Sequence, residues 1–97
     1  MRVTWTPEAG QDRREIWDFL FDKNPQAAAD MDRRLSIAAA GLAQNPEIGP
    51  SDRISGTREV IPHPSYRLVY QLEPNVVRIV ALVHTARQWP PESGGPP

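Results

Sequence analysis

Cysteine is absent from the 97 residues, so disulfides, thiolate nucleophiles and cysteine zinc sites are all excluded. Histidine occurs only as His63 and His84, and neither has a carboxylate at ligand spacing, so no metal site is expected. Lysine is nearly missing too: of eleven basic residues only Lys23 is a lysine, and the others are arginines. No apolar run reaches the ~18–20 residues of a membrane span, and no charged-then-apolar leader precedes the first predicted strand. The expectation is a cytoplasmic protein that does not engage a membrane. Glycine-rich phosphate loops, metal-binding helices and dinucleotide fingerprints do not occur, so no cofactor is expected either.

What is present fits one small domain, expected over residues 1–90, with a Pro/Gly-rich flexible tail over 91–97 (Pro-Glu-Ser-Gly-Gly-Pro-Pro). A chain this short buries only roughly 60–70% of the surface its unfolded form exposes, which leaves a thin stability margin that a partner protein can widen. The formal net charge is −1. Arginine's planar fork grips a carboxylate or phosphate at two points, so the arginine bias favours shaped contacts over diffuse attraction. The carboxyl-terminal half, with Arg53, Arg58, Arg67, Arg78 and Arg87, is the more basic one.

Periodicity gives the elements. Arg2 to Trp5 alternates polar and apolar and reads as a short strand. Thr6-Pro7-Glu8 supplies a cap, a first-turn proline and an acid at the positive end of the helix dipole, so a helix starts there and runs to about Asp22. It carries Ala9, Ile16 and Leu20 on one face, with Trp17 and Phe21 beside them. Asn24-Pro25 repeats the cap and opens a second helix, so the two fold back as a hairpin. Its apolar seam is read as Ala28, Met31, Leu35, Ala38 and Leu42, ending at Asn45-Pro46. After an irregular link, Arg58 to Ile61 is a strand broken by Pro62-His63-Pro64. Tyr66 to Leu72 is a second, and Val76 to His84 a third, apolar on both faces as a central strand should be. The predicted class is α+β: a small antiparallel sheet with the helical hairpin packed on one face, in the order β-α-α-β-β-β.

If Leu72 faces Val76 across the Glu73-Pro74-Asn75 turn, Arg67 stands opposite Ala81, and Arg87 shares its side of the sheet. Two readings of Arg67 stay open: a guanidinium on an uncovered face, available to an outside anion, or an internal pair with Glu59 or Asp52. His84, at the end of the last strand, is either a general acid or base or a residue satisfying the backbone, and His63 reads as an exposed turn residue. Trp89 stacks on a base or on Arg87, or packs under the end of the sheet. Trp5 and Trp17 belong to the core or face a partner.

The order of these elements, with Leu-x-x-Asn-Pro-x-x-Gly (Leu42 to Gly49), Gly-x-Arg (Gly56 to Arg58), Tyr-Arg-Leu-Val-Tyr (Tyr66 to Tyr70) and His-x-x-Arg-x-Trp-Pro (His84 to Pro90), resembles the ParE/RelE toxin superfamily. The likeness spans about residues 1 to 90. It implies the toxin of a type II toxin–antitoxin pair, a hetero-oligomer with a ParD-like or RelB-like antitoxin laid over the hairpin and sheet, through Trp17, Phe21 and Arg67. It also implies one of two targets. RelE-like members are ribosome-dependent mRNA endoribonucleases, and by that likeness His84 is the base, with Arg58, Arg67 and Arg87 around the phosphate. ParE-like members inhibit DNA gyrase by protein binding, with Arg58, Arg67, Arg87 and Trp89 as contacts and no catalytic role. Arginine is a poor general base, and the late tyrosine or phenylalanine common in the ribonucleases is missing from His84 to Trp89, so the expectation is the ParE-like activity. A third reading is an inactive module that only binds antitoxin.

Overall fold

Thr6 both ends the first strand and starts the first helix: its Oγ1 accepts the amide of Ala9 at 3.1 Å, and Pro7 occupies the first helical position, where no amide partner is needed. Asn24 repeats the device, its Oδ1 accepting the amides of Gln26 and Ala27 ahead of Pro25. The computed structural model describes residues 1–51 and 55–86. Within them lie β1 (Arg2–Trp5), α1 (Pro7–Lys23), α2 (Pro25–Gln44), β2 (Thr57–His63), β3 (Tyr66–Glu73) and β4 (Val76–His84). The expected tail, Asp52, Arg87 and Trp89 lie outside the described residues. Among those described, no helix is long and apolar enough to cross a membrane.

The predicted class and element order hold, with four corrections of detail. The sheet is mixed rather than wholly antiparallel: its order is β1-β4-β3-β2, and β1 lies parallel to β4, from Arg2 opposite Val76 to Trp5 opposite Ile79. The helical hairpin provides the long crossover that a parallel pair requires. β2 is not broken at Pro62 but continues to His63 with a register shift after Val60. It tolerates a proline because it is an edge strand, where one flank needs no amide.

The β3–β4 register also differs. Pro74 and Asn75 form a two-residue turn, with Asn75 at φ 67°, so Glu73 faces Val76 and Leu72 faces Val77. Val80 is then bulged out, since Val69 faces Ala81 while Tyr70 faces Ile79, and Arg67 stands opposite Val83 instead of Ala81. In α2 the buried seam is Ala28, Met31, Leu35, Ala39 and Leu42. Ala39 replaces Ala38 because the true helical period advances slightly beyond a strict 3, 4, 3, 4 spacing.

The hairpin packs on one side of the sheet. Ile16, Met31, Leu35 and Leu42 meet Leu68, Tyr70, Val77 and Ile79 there, and burying each such side chain contributes about 1.5–3 kcal/mol. The link after α2 is tied to this core by polar contacts. Tyr70, fully buried, donates its hydroxyl to the carbonyl of Pro46 at 2.8 Å and accepts the amide of Gly49 at 3.1 Å.

Candidate functional site

Side chains opposite one another in an antiparallel pair share a face, so the register sorts the predicted site residues. Arg58 faces Tyr70 and therefore lies on the helix-covered side. Its guanidinium donates to the carbonyls of Gly49 at 2.8 Å and Glu47 at 3.2 Å, which clamps the α2–β2 link. Arg67 projects from the other, outer side, beside Val69 and opposite Val83. There it pairs with Glu59 at 3.1 Å, the two side chains only 17% and 21% exposed. Of the two readings of Arg67, the internal pair with Glu59 is the one observed. Further along the outer face, Arg78 grips Glu73 through two bonds of 2.8 and 3.0 Å, and that hydrogen bonding holds the Glu73 carboxyl below its usual range.

His84 faces Tyr66 on the helix side, at the far end of the sheet from Arg58, and the two rings meet edge to face at 5.4 Å. Its Nδ1 accepts the amide of Ala86 at 3.1 Å, and Nδ1 of His63 likewise accepts the amide of Ser65 at 3.0 Å. In the neutral tautomer that accepts at Nδ1, the ring proton sits on Nε2. Arg58, Arg67 and His84 thus occupy two faces and both ends of the sheet, and they are not brought together.

Two further surfaces are built. On the outside of α1, Trp17 and Phe21, one helical turn apart, stack with centroids 6.0 Å apart and remain 36% and 48% exposed. Of the two readings of Trp17, core or partner-facing, the surface position is the one observed. Next to it Arg13 lies over the ring of Trp5 at 4.8 Å and reaches Asp32 at 2.7 Å and Ser36 at 2.6 Å, which ties β1, α1 and α2 together.

The second surface is a groove of about 690 Å³ between the helical hairpin and the far end of the sheet, bordered by Asp12, Glu15, Asp30, Arg34, His63 and His84. Asp12 accepts the Leu82 amide at 3.1 Å. Loss of hydration raises its carboxyl above the ordinary range, the Leu82 amide opposes that shift, and Glu15 and Glu8 add to it. Sequence reasoning missed this residue, although the signal was present. Ala9, Asp12 and Ile16 step by 3 and 4, which places a carboxylate inside the apolar line of α1. Among the described residues no group of three or more histidines or carboxylates is placed to hold a metal ion.

Comparison with known proteins gives concordant matches. The model of the family described as ParE toxin of type II toxin–antitoxin system, parDE, matches residues 3–89. Toxin RelE2 of Caulobacter vibrioides is 36% identical over 86 residues, covering 89% of this chain and 97% of that one. Y4kP of Sinorhizobium fredii is 33% identical over 90 residues, covering 92% and 93%. Among solved structures, the chromosomal ParDE toxin–antitoxin system from P. aeruginosa matches with a TM-score of 0.77 over 87% of this chain and 95% of that one. At 17% identity that match is one of fold.

Proposed function

Because the chain belongs to the ParE toxin family of type II toxin–antitoxin systems, we propose that a cognate antitoxin holds it inactive and that the freed toxin inhibits DNA gyrase by binding it, without catalysis. The observation that carries this reading is the dispersal of the polar groups. Ribonucleolytic transfer requires a base within hydrogen-bond reach of the ribose hydroxyl and cations around the same phosphate. Here both imidazoles have Nδ1 occupied by a backbone amide, Arg58 is bound to carbonyls on one side of the sheet, and Arg67 is paired on the other. A toxin that acts by surface complementarity needs no such convergence.

In this reading Arg67, Arg87 and Trp89 contact gyrase, and Arg58 fixes the α2–β2 link. The antitoxin covers the Trp17–Phe21 pair and reaches Arg67, and the complex is a cytoplasmic hetero-oligomer. The name of the relative RelE2 favours the second reading, a ribosome-dependent endoribonuclease. Induced expression separates the two: halted supercoiling with DNA damage supports gyrase, and ribosome-dependent cleavage of mRNA supports the ribonuclease. Antitoxin binding with no growth defect would instead identify an inactive binding module.

A further inference from the structure

Four residues of α1 stand on one line of the helix, Gly10, Arg14, Trp17 and Phe21, stepping by 4, 3 and 4. The first three, together with Trp5 at the end of β1 and with Arg13 and Asp32, line an open cleft of about 380 Å³. Phe21 stacks against Trp17 from the following turn and does not line the cleft, so it backs the indole on the side away from it. The cleft is separate from the groove described above, and the two share no lining residue.

The charges around it do not cancel. Arg13 commits its Nε to the Asp32 carboxylate at 2.7 Å and its Nη2 to Ser36 at 2.6 Å. Arg14 commits only its Nη2, to the neutral side chain of Gln11 at 2.8 Å, and among the described residues no carboxylate pairs with it. Two guanidiniums against one carboxylate leave a single positive charge, and the Nη1 group of each arginine is not taken up by any described residue. A β-carbon on Gly10 would stand 3.7 Å from Nη1 of Arg14, so the helix surface beneath that guanidinium is bare.

We propose that this cleft binds a small aromatic carboxylate, a planar ring bearing one negative charge. The indoles of Trp5 and Trp17 give the ring flat apolar walls, and the uncommitted Nη1 groups take the carboxylate, which a guanidinium's paired donors fit. The volume lies within the ~300–1,000 Å³ of small-molecule sites. One uncompensated positive charge matches a carboxylate. A phosphate monoester brings nearly twice the negative charge, and a cationic ring meets two guanidiniums of its own sign. The inference is independent of the gyrase and antitoxin readings.

The test is titration of the full chain with naphthoate, followed through the indole N–H resonances of Trp5 and Trp17 in an isotope-labelled sample. Naphthalenemethanol and acetate serve as probes that lack the charge or the ring. The expected result is saturable movement of both resonances with naphthoate, and binding weaker by about tenfold or more for either other probe and for naphthoate on Arg14→Gln. Arg14→Lys keeps the charge without the planar fork and should fall between parent and Arg14→Gln. Gly10→Leu fills the bare surface while favouring the helix, so it should abolish binding in a chain at least as stable as the parent. Absence of saturation, equal binding of naphthalenemethanol, or indifference to Arg14→Gln and Gly10→Leu overturns the inference. So does tighter binding of adenosine monophosphate than of naphthoate, which would assign the cleft to a phosphate ligand.

Discussion

The amide of Gly49 and the hydroxyl of Tyr70, 21 residues apart in sequence, meet at 3.1 Å in the buried interior, and the same hydroxyl donates onward to Pro46 at 2.8 Å. A β-carbon at position 49 would stand 2.3 Å from the Glu59 carbonyl oxygen and 2.9 Å from the Tyr70 hydroxyl. Gly49→Ala is therefore expected to destabilise the fold by about 1–3 kcal/mol or more, because the obstructing atom is backbone. Tyr70→Phe removes the partner of the buried Gly49 amide and of the half-buried Pro46 carbonyl and should cost about 1–3 kcal/mol. Chemical denaturation measures both, and the double variant should fall short of the sum because the two changes disrupt one junction.

Arg67 and Glu59 form a mostly covered pair. Removing either partner is expected to destabilise by about 1–2 kcal/mol, below the value for a fully buried pair, and removing both by less than the sum of the singles. A double-mutant cycle gives the coupling. Arg67→Ala should also relieve growth inhibition at a temperature where circular dichroism shows the variant folded. Full toxicity of that folded variant removes Arg67 from the target surface.

Arg13 holds Trp5, Asp32 and Ser36 at once. Arg13→Ala is expected to cost about 1–3 kcal/mol, combining a charge-assisted hydrogen bond with a cation–π contact, and Arg13→Lys should recover only part of it, since an ammonium lacks the planar fork. Thermal melts of the two variants make the comparison.

Trp17 and Phe21 contribute little to the interior, so Trp17→Ala and Phe21→Ala should each change stability by about 0.5 kcal/mol or less. Antitoxin affinity should fall by about tenfold or more for each if this pair is an anchor. Calorimetric titration with the purified antitoxin reads the loss. Unchanged affinity in both variants moves the antitoxin elsewhere.

Asp12 gives a pH dependence with a definite sign. Burial raises its carboxyl pKa in the folded chain, so the native state holds that proton more tightly than the unfolded chain does. The parent therefore loses stability relative to Asp12→Asn as pH rises from the ordinary carboxylate range through the raised native value, and the gap is constant above it. Urea denaturation of both proteins from about pH 3 to about pH 7 should show the variant gaining on the parent with increasing pH. A gap that narrows instead would mean that the Leu82 hydrogen bond outweighs burial.

Most of the fold could be read from the residues because its determinants are local. Thr6-Pro7 and Asn24-Pro25 mark helix starts wherever they sit, and Val76 to His84 is rich in apolar residues because β4 lies inside the sheet with Val77, Ile79 and Leu82 in the core. The departures arise from non-local geometry. The bulge at Val80 and the parallel docking of β1 depend on how the hairpin crosses the sheet, which no window of sequence encodes. The candidate site followed the same division. Trp17 and Phe21 were legible as neighbours beside the apolar face of one helix, and Glu59 as one of two possible partners of Arg67. That Arg58, Arg67 and His84 fall on different faces and ends follows from register alone, and Asp12 reaches Leu82 across 70 positions of chain.

The parallel docking of β1 against β4 sets an order on folding. Both helices and two further strands separate the pair along the chain, so the amides of β1 find their partners only once the hairpin has crossed the sheet. The bonds that close this margin of the sheet are long-range ones, and they depend on the rest of the domain having come together.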